Sequence, residues 1–408
     1  MAAFSIALSG LTAASSDLDV TANNVANADT VGFKQSRAEF ADVFAAGAVN
    51  LNTSAIGEGV RLSTTAQQFT QGNISTSGSN LDLAISGDGF FTLQDPSNGI
   101  VYTRNGQFSE DKNGDVVTAT GQALQVYPPT STGGFNTGAL TNLNLQTAQS
   151  SPLATTGGTV ILNLPAGSTP PTGGVFDPAN PATYNQSTST TVFDSLGNSF
   201  PATFFFTQTA VAGVWNVNMT VNNKLDPATK QLTFSPTGAV TPPASGALEF
   251  AGFAPTDGAS PMDMTFNFAQ STQFGGGFGV TSIIQNGFTT GQLSTVSIDP
   301  TGVVSAVYTN GRSTQLGQLA LANFPDPQGL KQLGDTNWAE TFSSGTHISG
   351  TAGSSGFGSV QSGALEASNV DLTTELVNMI TAQRAFQANA QVITTANQLS
   401  QTVINITH

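Results

Sequence analysis

FSIALSGLTAASSDLDVTANNVANADTVGFK, residues 4–34, sets the architecture of this chain. Phe4, Leu8, Leu11, Leu18 and Val25 follow one another at heptad positions, with Ser15 and Ala22 in the remaining slots. Spacings of four and three place these residues on one stripe of an α-helix, not on the alternating faces of a strand. At roughly 1.5 Å per residue such a helix is about 35 Å long. It runs into Asn23, Asn24, Asn27 and Asp29, whose short polar side chains hydrogen-bond local backbone and tolerate left-handed geometry. Gly32 adds a further free turn before Phe33 and the first basic residue, Lys34. The segment predicts a helix followed by an elbow.

The far end of the chain repeats the pattern. Leu372, Leu376, Met379, Phe386, Ala390, Ile393 and Ile404 share one seam, with Gln383, Asn397 and Ser400 in its gaps. Val392, Ala396, Leu399, Val403 and Ile406 form a second stripe beside it. Amides crowd this region, where solvated coiled-coil flanks carry Glu and Lys. They suit helices that meet other helices, because they exchange hydrogen bonds without the desolvation cost of a charge. Two helices packing on each other within one chain is the simpler reading. It leaves one stripe of the longer helix uncovered, which favours packing between chains.

Between the helical ends the sequence reads as β. Of 19 prolines, 15 fall between Pro128 and Pro261, and none lies before Pro96 or after Pro327. NLDLAISGDGFFTLQD (80–95) alternates, breaks at Gly87-Asp88-Gly89 and resumes, which predicts a hairpin. Asn105-Gly106 and Asn113-Gly114 are further hairpin signals. Segments 190–221 and 279–311 alternate likewise, and the Gly- and Pro-rich stretches 128–185, 235–261 and 343–358 read as loops. The fold class is therefore α+β: coiled-coil-like N- and C-terminal helices, with two mainly β domains nested in the middle of the chain.

Composition narrows the function. Ten Lys+Arg against 25 Asp+Glu give a net charge of −15, while charged residues make up only 9% of the chain. The basic patch that nucleic-acid binding requires is missing, so no nucleic-acid partner is expected. There is no cysteine, and so no disulfide or thiolate metal site. No run of about 18 apolar residues predicts a membrane span. The N-terminus lacks the basic region of a cleavable signal peptide, so an exported chain would use another route.

Candidate chemical sites are weak. Asp111-Lys112-Asn113-Gly114-Asp115 begins like a calcium loop, but its glycine comes one residue early and Gln122 stands where a bidentate Glu belongs. A hairpin turn fits better. Gly275 to Gly279 lacks the Lys-Ser/Thr of a phosphate cradle and reads as a flexible joint. His347 and His408 are the only histidines, and neither sits in a metal or triad pattern. Asp17 and Asp19 point to different faces of one helix. No enzyme activity, cofactor or metal is expected.

Several motifs together are specific. SGLTAASSDLDVTANNVANADTVGFK (9–34) closely resembles the N-terminal signature of the bacterial flagellar axial proteins, the rod and hook family. SNVDLTTELVNMITAQRAFQANAQVITTANQLSQTVINI (368–406) resembles the matching C-terminal signature, and LDLAISGDGFFTLQD and YTRNGQF resemble the family's first β segment. Val31 stands where proline is common, and Val126 precedes Tyr127 where glycine is common. The long β insertion resembles the hook-type member rather than the shorter rod subunits.

The resemblance implies a homopolymer: a curved, flexible tube acting as a universal joint that transmits torque from rod to filament. It also implies distal-rod, hook–filament junction and hook-cap partners, and export through the flagellar type III apparatus to the outside of the cell. The implied domains are 1–30 with 365–408 as the inner helical tube, 31–70 with 359–364 as elbow and linker, 71–144 with 285–358 as a β domain, and 145–284 as an inserted outer β domain. Subunit packing is expected at Phe4, Leu8, Leu11, Leu18, Asn23, Asn24, Val25, Asn27, Gly32, Phe33, Leu372, Leu376, Met379, Phe386, Ile393, Leu399, Val403 and Ile404. In this picture Phe33 anchors the elbow in a neighbour's cleft. Another rod-family subunit, or a monomeric β-rich adhesin, remains the alternative.

Overall fold

The computed structural model describes residues 2–43, 57–97, 99–145, 150–241 and 246–406. The side chains of Val403, Ile404 and Ile406, and all of His408, lie outside the described residues. Two helices bracket a β-rich middle. Helix α1 is Ala2–Ala26 and helix α2 is Leu372–Ile406. The Asp371 carboxylate starts α2 by accepting from the Thr374 backbone N–H at 2.9 Å, satisfying one of the open donors of the first turn. At the end of α1, the Asn27 side chain donates to the Asn23 carbonyl at 2.9 Å and accepts from the Thr30 hydroxyl at 3.1 Å. The asparagines close the helix as their chemistry predicts.

The chain falls into two compact units. The first comprises Met1–Gln146, Thr295–Val307 and Ser313–His408; the second comprises Thr147–Ser294 with Tyr308–Arg312. In the first unit, residues expected to be linker form structure. Strand β1 (Ser36–Val43) pairs antiparallel with strand β2 (Gly59–Gln67), and the Val60 backbone N–H donates to Ser9 Oγ of α1 at 3.2 Å. Ala364–Glu366, expected at the start of the terminal helix, pairs with Ile74–Thr76, and Ser359–Ser362 pairs with Leu83–Ser86. The segment that enters α2 thus runs beside the segment that leaves the elbow.

A large curled sheet fills the rest of this unit. Phe90–Asp95 lies at its centre and pairs with Gly99–Thr103, Ala123–Tyr127 and Ser313–Asn323. Successive residues of a strand face opposite sides. Phe91 and Leu93 join Val101, Leu124 and Leu321 in one core, while Phe90 joins Tyr102, Phe324 and Trp338 in another. The hairpins expected at Gly87-Asp88-Gly89 and Asn105-Gly106 do not form. Leu83–Ser86 pairs with Ser359–Ser362, and Gly99–Thr103 pairs with Phe90–Asp95 and Asn337–Ala339. Phe90–Asp95 is taken up in the centre of the sheet by Gly99–Thr103 and Ala123–Tyr127, so tertiary pairing overrides the turn signal.

The second unit packs a five-stranded sheet on a six-stranded one. Phe204, Phe206, Trp215 and Met219 come from the larger sheet, and Val160, Leu162, Phe250 and Phe266 from the smaller; all are buried. The Phe204 and Phe266 rings meet edge-on at 4.9 Å. Three of the presumed loops contain strands: Gly157–Pro165 in 128–185, Ala247–Phe253 in 235–261 and Ile348–Thr351 in 343–358. The glycines at 275–279, read as a flexible joint, lie inside the second unit. They connect Thr272–Phe274 to Gly279–Gln285, and both strands pair with Gly157–Pro165. The unit also runs past the expected boundary at 284, because Phe288 and Gly291 bridge to Leu153 and Ser150.

Candidate functional site

Helices α1 and α2 lie side by side along a seam the sequence hides. Ala7, Gly10, Ala14, Asp17, Thr21 and Asn24 recur at spacings of three and four, and Ala7, Ala14, Thr21 and Asn24 are buried. Facing them, Glu375 and Ala382 are buried, and Met379, Phe386, Asn389 and Ile393 are partly so. The approach is close: a Cβ placed on Gly10 would stand 2.7 Å from Asn389 Oδ1. Small residues therefore join the helices within the chain.

The larger apolar residues are left outside. Phe4 and Leu8 on α1, and Leu372, Leu376, Val377, Ile380, Val392 and Leu399 on α2, are all exposed, by 43–63%. Leu11, Leu18 and Val25 are partly buried. The expected seams are thus real periodicities, but among the described residues of the α2 seam Leu372 and Leu376 are exposed while Met379, Phe386, Ala390 and Ile393 are partly buried. The helix pair is apolar on surfaces that its own chain does not cover.

The elbow behaves differently from its expected role. Phe33 is 6% exposed, and Gly32 takes φ +70° while its N–H donates to the Glu366 carbonyl at 2.8 Å. A Cβ on Gly32 would lie 2.5 Å from the Asn105 nitrogen, so this backbone contact requires glycine. Asn24 donates to the Ser36 carbonyl at 2.7 Å and accepts from the Ser36 N–H at 2.9 Å. Asn24, Gly32 and Phe33 are therefore bound inside their own chain, not in a neighbour's cleft. The apolar ring is buried and the amide is hydrogen-bonded within the chain. Asn23 remains exposed and Asn27 partly so.

Beneath the elbow is a buried ionic cluster that sequence reasoning missed. Lys34 Nζ donates to Glu366 Oε1 at 2.7 Å and to the Thr70 carbonyl at 2.8 Å. Arg104 reaches Glu366 Oε2 at 3.4 Å, with its guanidinium 5.3 Å from the Phe90 ring centre. The Gly72 N–H supplies a further donor to Glu366 at 2.9 Å. Burial holds both Lys34 and Arg104 below their usual pKa ranges, against the opposing pull of Glu366. A second carboxylate, Glu375, accepts from Gln35 at 2.6 Å and from Asn24 at 3.2 Å. It also raises the pKa of Asp17, after the larger effect of burial there. Together these bonds tie the exit of α1 to the entry of α2. Removing one member of such a buried set costs about 3–5 kcal/mol, because it strands the opposite charge. The cluster fixes the direction in which the helices leave the β sheet.

The other candidates resolve as local structure. Asp111 Oδ1 accepts from the Asn113 and Asp115 backbone N–H groups at 2.8 and 2.9 Å, within a tight turn joining Ser109–Glu110 to Val116–Val117. His347 Nδ1 lies 2.6 Å from Glu340, beside the Tyr102 ring. Among the described residues no group of three or more His, Asp or Glu is placed to hold a metal, and no helix is long and apolar enough to cross a membrane.

Four family models match the chain in order. These are the flagella basal body rod protein (4–34), the flagellar hook protein FlgE/F/G D1 domain (84–162), the flagellar basal body protein FlaE D2 domain (163–288) and the flagellar basal body rod FlgEFG protein C-terminal region (361–406). The flagellar hook protein FlgE of Escherichia coli is 39% identical over 412 residues, 99% of this chain and 100% of that one. The flagellar hook protein FlgE of Salmonella typhimurium is 39% identical over 417 residues, 99% of each chain. That of Rhizobium meliloti is 32% identical over 418 residues, 98% of this chain and 97% of the relative. In fold, the chain is similar to the crystal structure of Helicobacter pylori flagellar hook protein FlgE2. The TM-score is 0.53 at 14% identity, covering 72% of this chain and all of that one.

Proposed function

The chain belongs to the flagellar hook protein family, a family of structural proteins and not of enzymes, and from that premise we propose how its copies assemble. Copies polymerise into a curved, flexible tube, the hook, which carries torque from rod to filament. The observation that carries this reading is the apolar surface of the helix pair. Leu8, Leu372, Leu376, Ile380, Val392 and Leu399 stay exposed although α1 and α2 already cover each other. Each such side chain contributes about 1.5–3 kcal/mol when buried. One chain cannot cover these surfaces, whereas a ring of copies covers them all. Repeating one heterologous contact then gives a helical tube.

In this proposal the helices line the tube and the elbow cluster fixes the angle at which they leave the sheet. The distal rod and the hook–filament junction proteins bound the polymer, a hook cap guides its growth, and subunits leave the cell through the flagellar type III apparatus. The low charge suits a surface destined for contact with copies of itself. The test is direct. Purified full-length chain, raised in concentration and in ammonium sulfate, should form tubes visible by negative-stain electron microscopy. A chain that stays monomeric under those conditions overturns the proposal.

A further inference from the structure

Phe342 is the most exposed large apolar side chain in the described structure, with 104% of its reference surface in solvent. Single exposed apolar residues are ordinary on protein surfaces. This one is unusual in how firmly it is held. Its loop, residues 340–347, is closed at the base by His347 Nδ1 and Glu340 Oε2 at 2.6 Å. Inside the loop, the Thr341 N–H donates to Ser344 Oγ at 2.9 Å, and the Ser343 and Ser344 N–H groups donate to Thr341 Oγ1 at 3.1 and 3.2 Å. Ser344 is fully buried, and a Cβ on Gly329 would lie 2.4 Å from its nitrogen, so the loop rests directly on neighbouring backbone. The ring is displayed on a fixed platform with nothing of its own chain around it. Such preorganisation lowers the ordering cost of docking.

The second unit carries a recess of matching chemistry. Phe200, Val221, Phe253, Pro255 and Met262 line a cavity of about 170 Å³, with Lys224 also in its wall. An apolar cavity of roughly 150 Å³ accepts a benzene ring. Lys224 is one of only ten basic residues in the chain, and Glu340 at the base of the Phe342 loop carries the opposite charge. Ring, cavity size and charge correspond.

We propose that Phe342 of one copy seats in the Phe200–Phe253–Met262 recess of a second copy, with Glu340 brought toward Lys224. The occupant of the recess is therefore another subunit. This rests on the polymer reading above and deepens it by naming a contact outside the helices. The chain has no cysteine, so introduced thiols report without background. Chains carrying Phe342→Cys are mixed with chains carrying Ala254→Cys at the recess wall, then assembled, oxidised and resolved without reductant. A crosslinked pair joining one chain of each kind, formed in tubes and absent from unassembled protein, is expected. Phe342→Cys mixed with Val211→Cys, an exposed site away from the recess, should give none.

Independently, Phe342→Ala should raise the critical concentration for assembly about tenfold or more, from the loss of one buried phenyl ring. Its circular dichroism should be unchanged, because the side chain is fully exposed in the free chain. If tubes form but no Ala254 crosslink appears, or if Phe342→Ala assembles at the parental concentration, the docking is wrong while the polymer stands. A crosslink preferring position 211 would also overturn it. If no tubes form from the parent chain, the polymer reading and this contact fall together.

Discussion

At the scale of residues, Glu366 shows what could not be read from the sequence. Its partner Lys34 lies 332 positions away, and neither belongs to a motif that announces an ion pair. The sequence shows only that Lys34 is the first basic residue of the chain. By contrast, the roles of Asn27 and Gly32 were legible, because amide capping and positive φ are properties of the residue itself. Asp17 permits a sharper test. Burial, and then the nearby Glu375 charge, raise its pKa above the ordinary carboxylate value. A group that binds its proton more tightly when folded loses the chain stability as pH rises through that window. At pH 7 the native chain therefore carries the cost of an ionised Asp17, and Asp17→Asn should remove it. The gain should be about 0.5 kcal/mol once solvent screening of a partly exposed carboxylate is allowed for. It should vanish below about pH 3.8, where both states are protonated. Thermal unfolding of both chains, followed by far-ultraviolet circular dichroism, checks this; an equal difference at pH 3 and pH 7 would contradict it.

At the scale of elements, the helices were legible and their pairing was not. Heptad spacing of large apolar residues located α1 and α2, but the within-chain seam uses Ala7, Gly10, Ala14 and Thr21, which apolar patterning does not mark. Small residues let two helix backbones approach, and the large residues then face outward. Strands were missed for a related reason. Gly157–Pro165 carries the run Thr159 to Leu164, but the surrounding glycines and prolines outweighed it as turn signals. The pairing of β1 with β2 went unread because the sequence between them, residues 44–58, carries no two-residue hairpin signature. The exposed stripes of α2 give a prediction at this scale. Removing residues 390–408 deletes Val392, Ile393 and Leu399 while leaving Glu375, Ala382 and the elbow cluster intact. Polymerisation should be lost, since several side chains worth about 1.5–3 kcal/mol each disappear from every subunit contact. The β signal in circular dichroism should persist. Tubes of normal appearance from the shortened chain would sink the assignment.

At the scale of the whole molecule, the long segment of the second unit, Thr147–Ser294, is an insertion whose two ends lie together. The Ser150 N–H donates to the Gly291 carbonyl at 2.8 Å, and the Leu153 N–H to the Phe288 carbonyl at 3.0 Å, so the chain enters and leaves along one antiparallel ladder. The unit has its own core around Phe204, Trp215 and Phe266. A module with adjacent ends and a separate core can be removed without opening the remainder. A bending tube needs contacts that hold through every curvature and others that select it. On the present proposal the helices, the elbow cluster and the curled sheet hold, and the inserted unit selects. Replacing residues 150–291 with a short Gly-Ser linker should give a chain that still polymerises, but into straight tubes. The replacement also deletes the recess proposed for Phe342, so the critical concentration should rise about as far as in Phe342→Ala, and no further. Electron microscopy and a sedimentation assay read the two effects separately. Curved tubes from the shortened chain would place the choice of curvature in the inner elements. A failure to assemble at any concentration would make the insertion one of the contacts that hold.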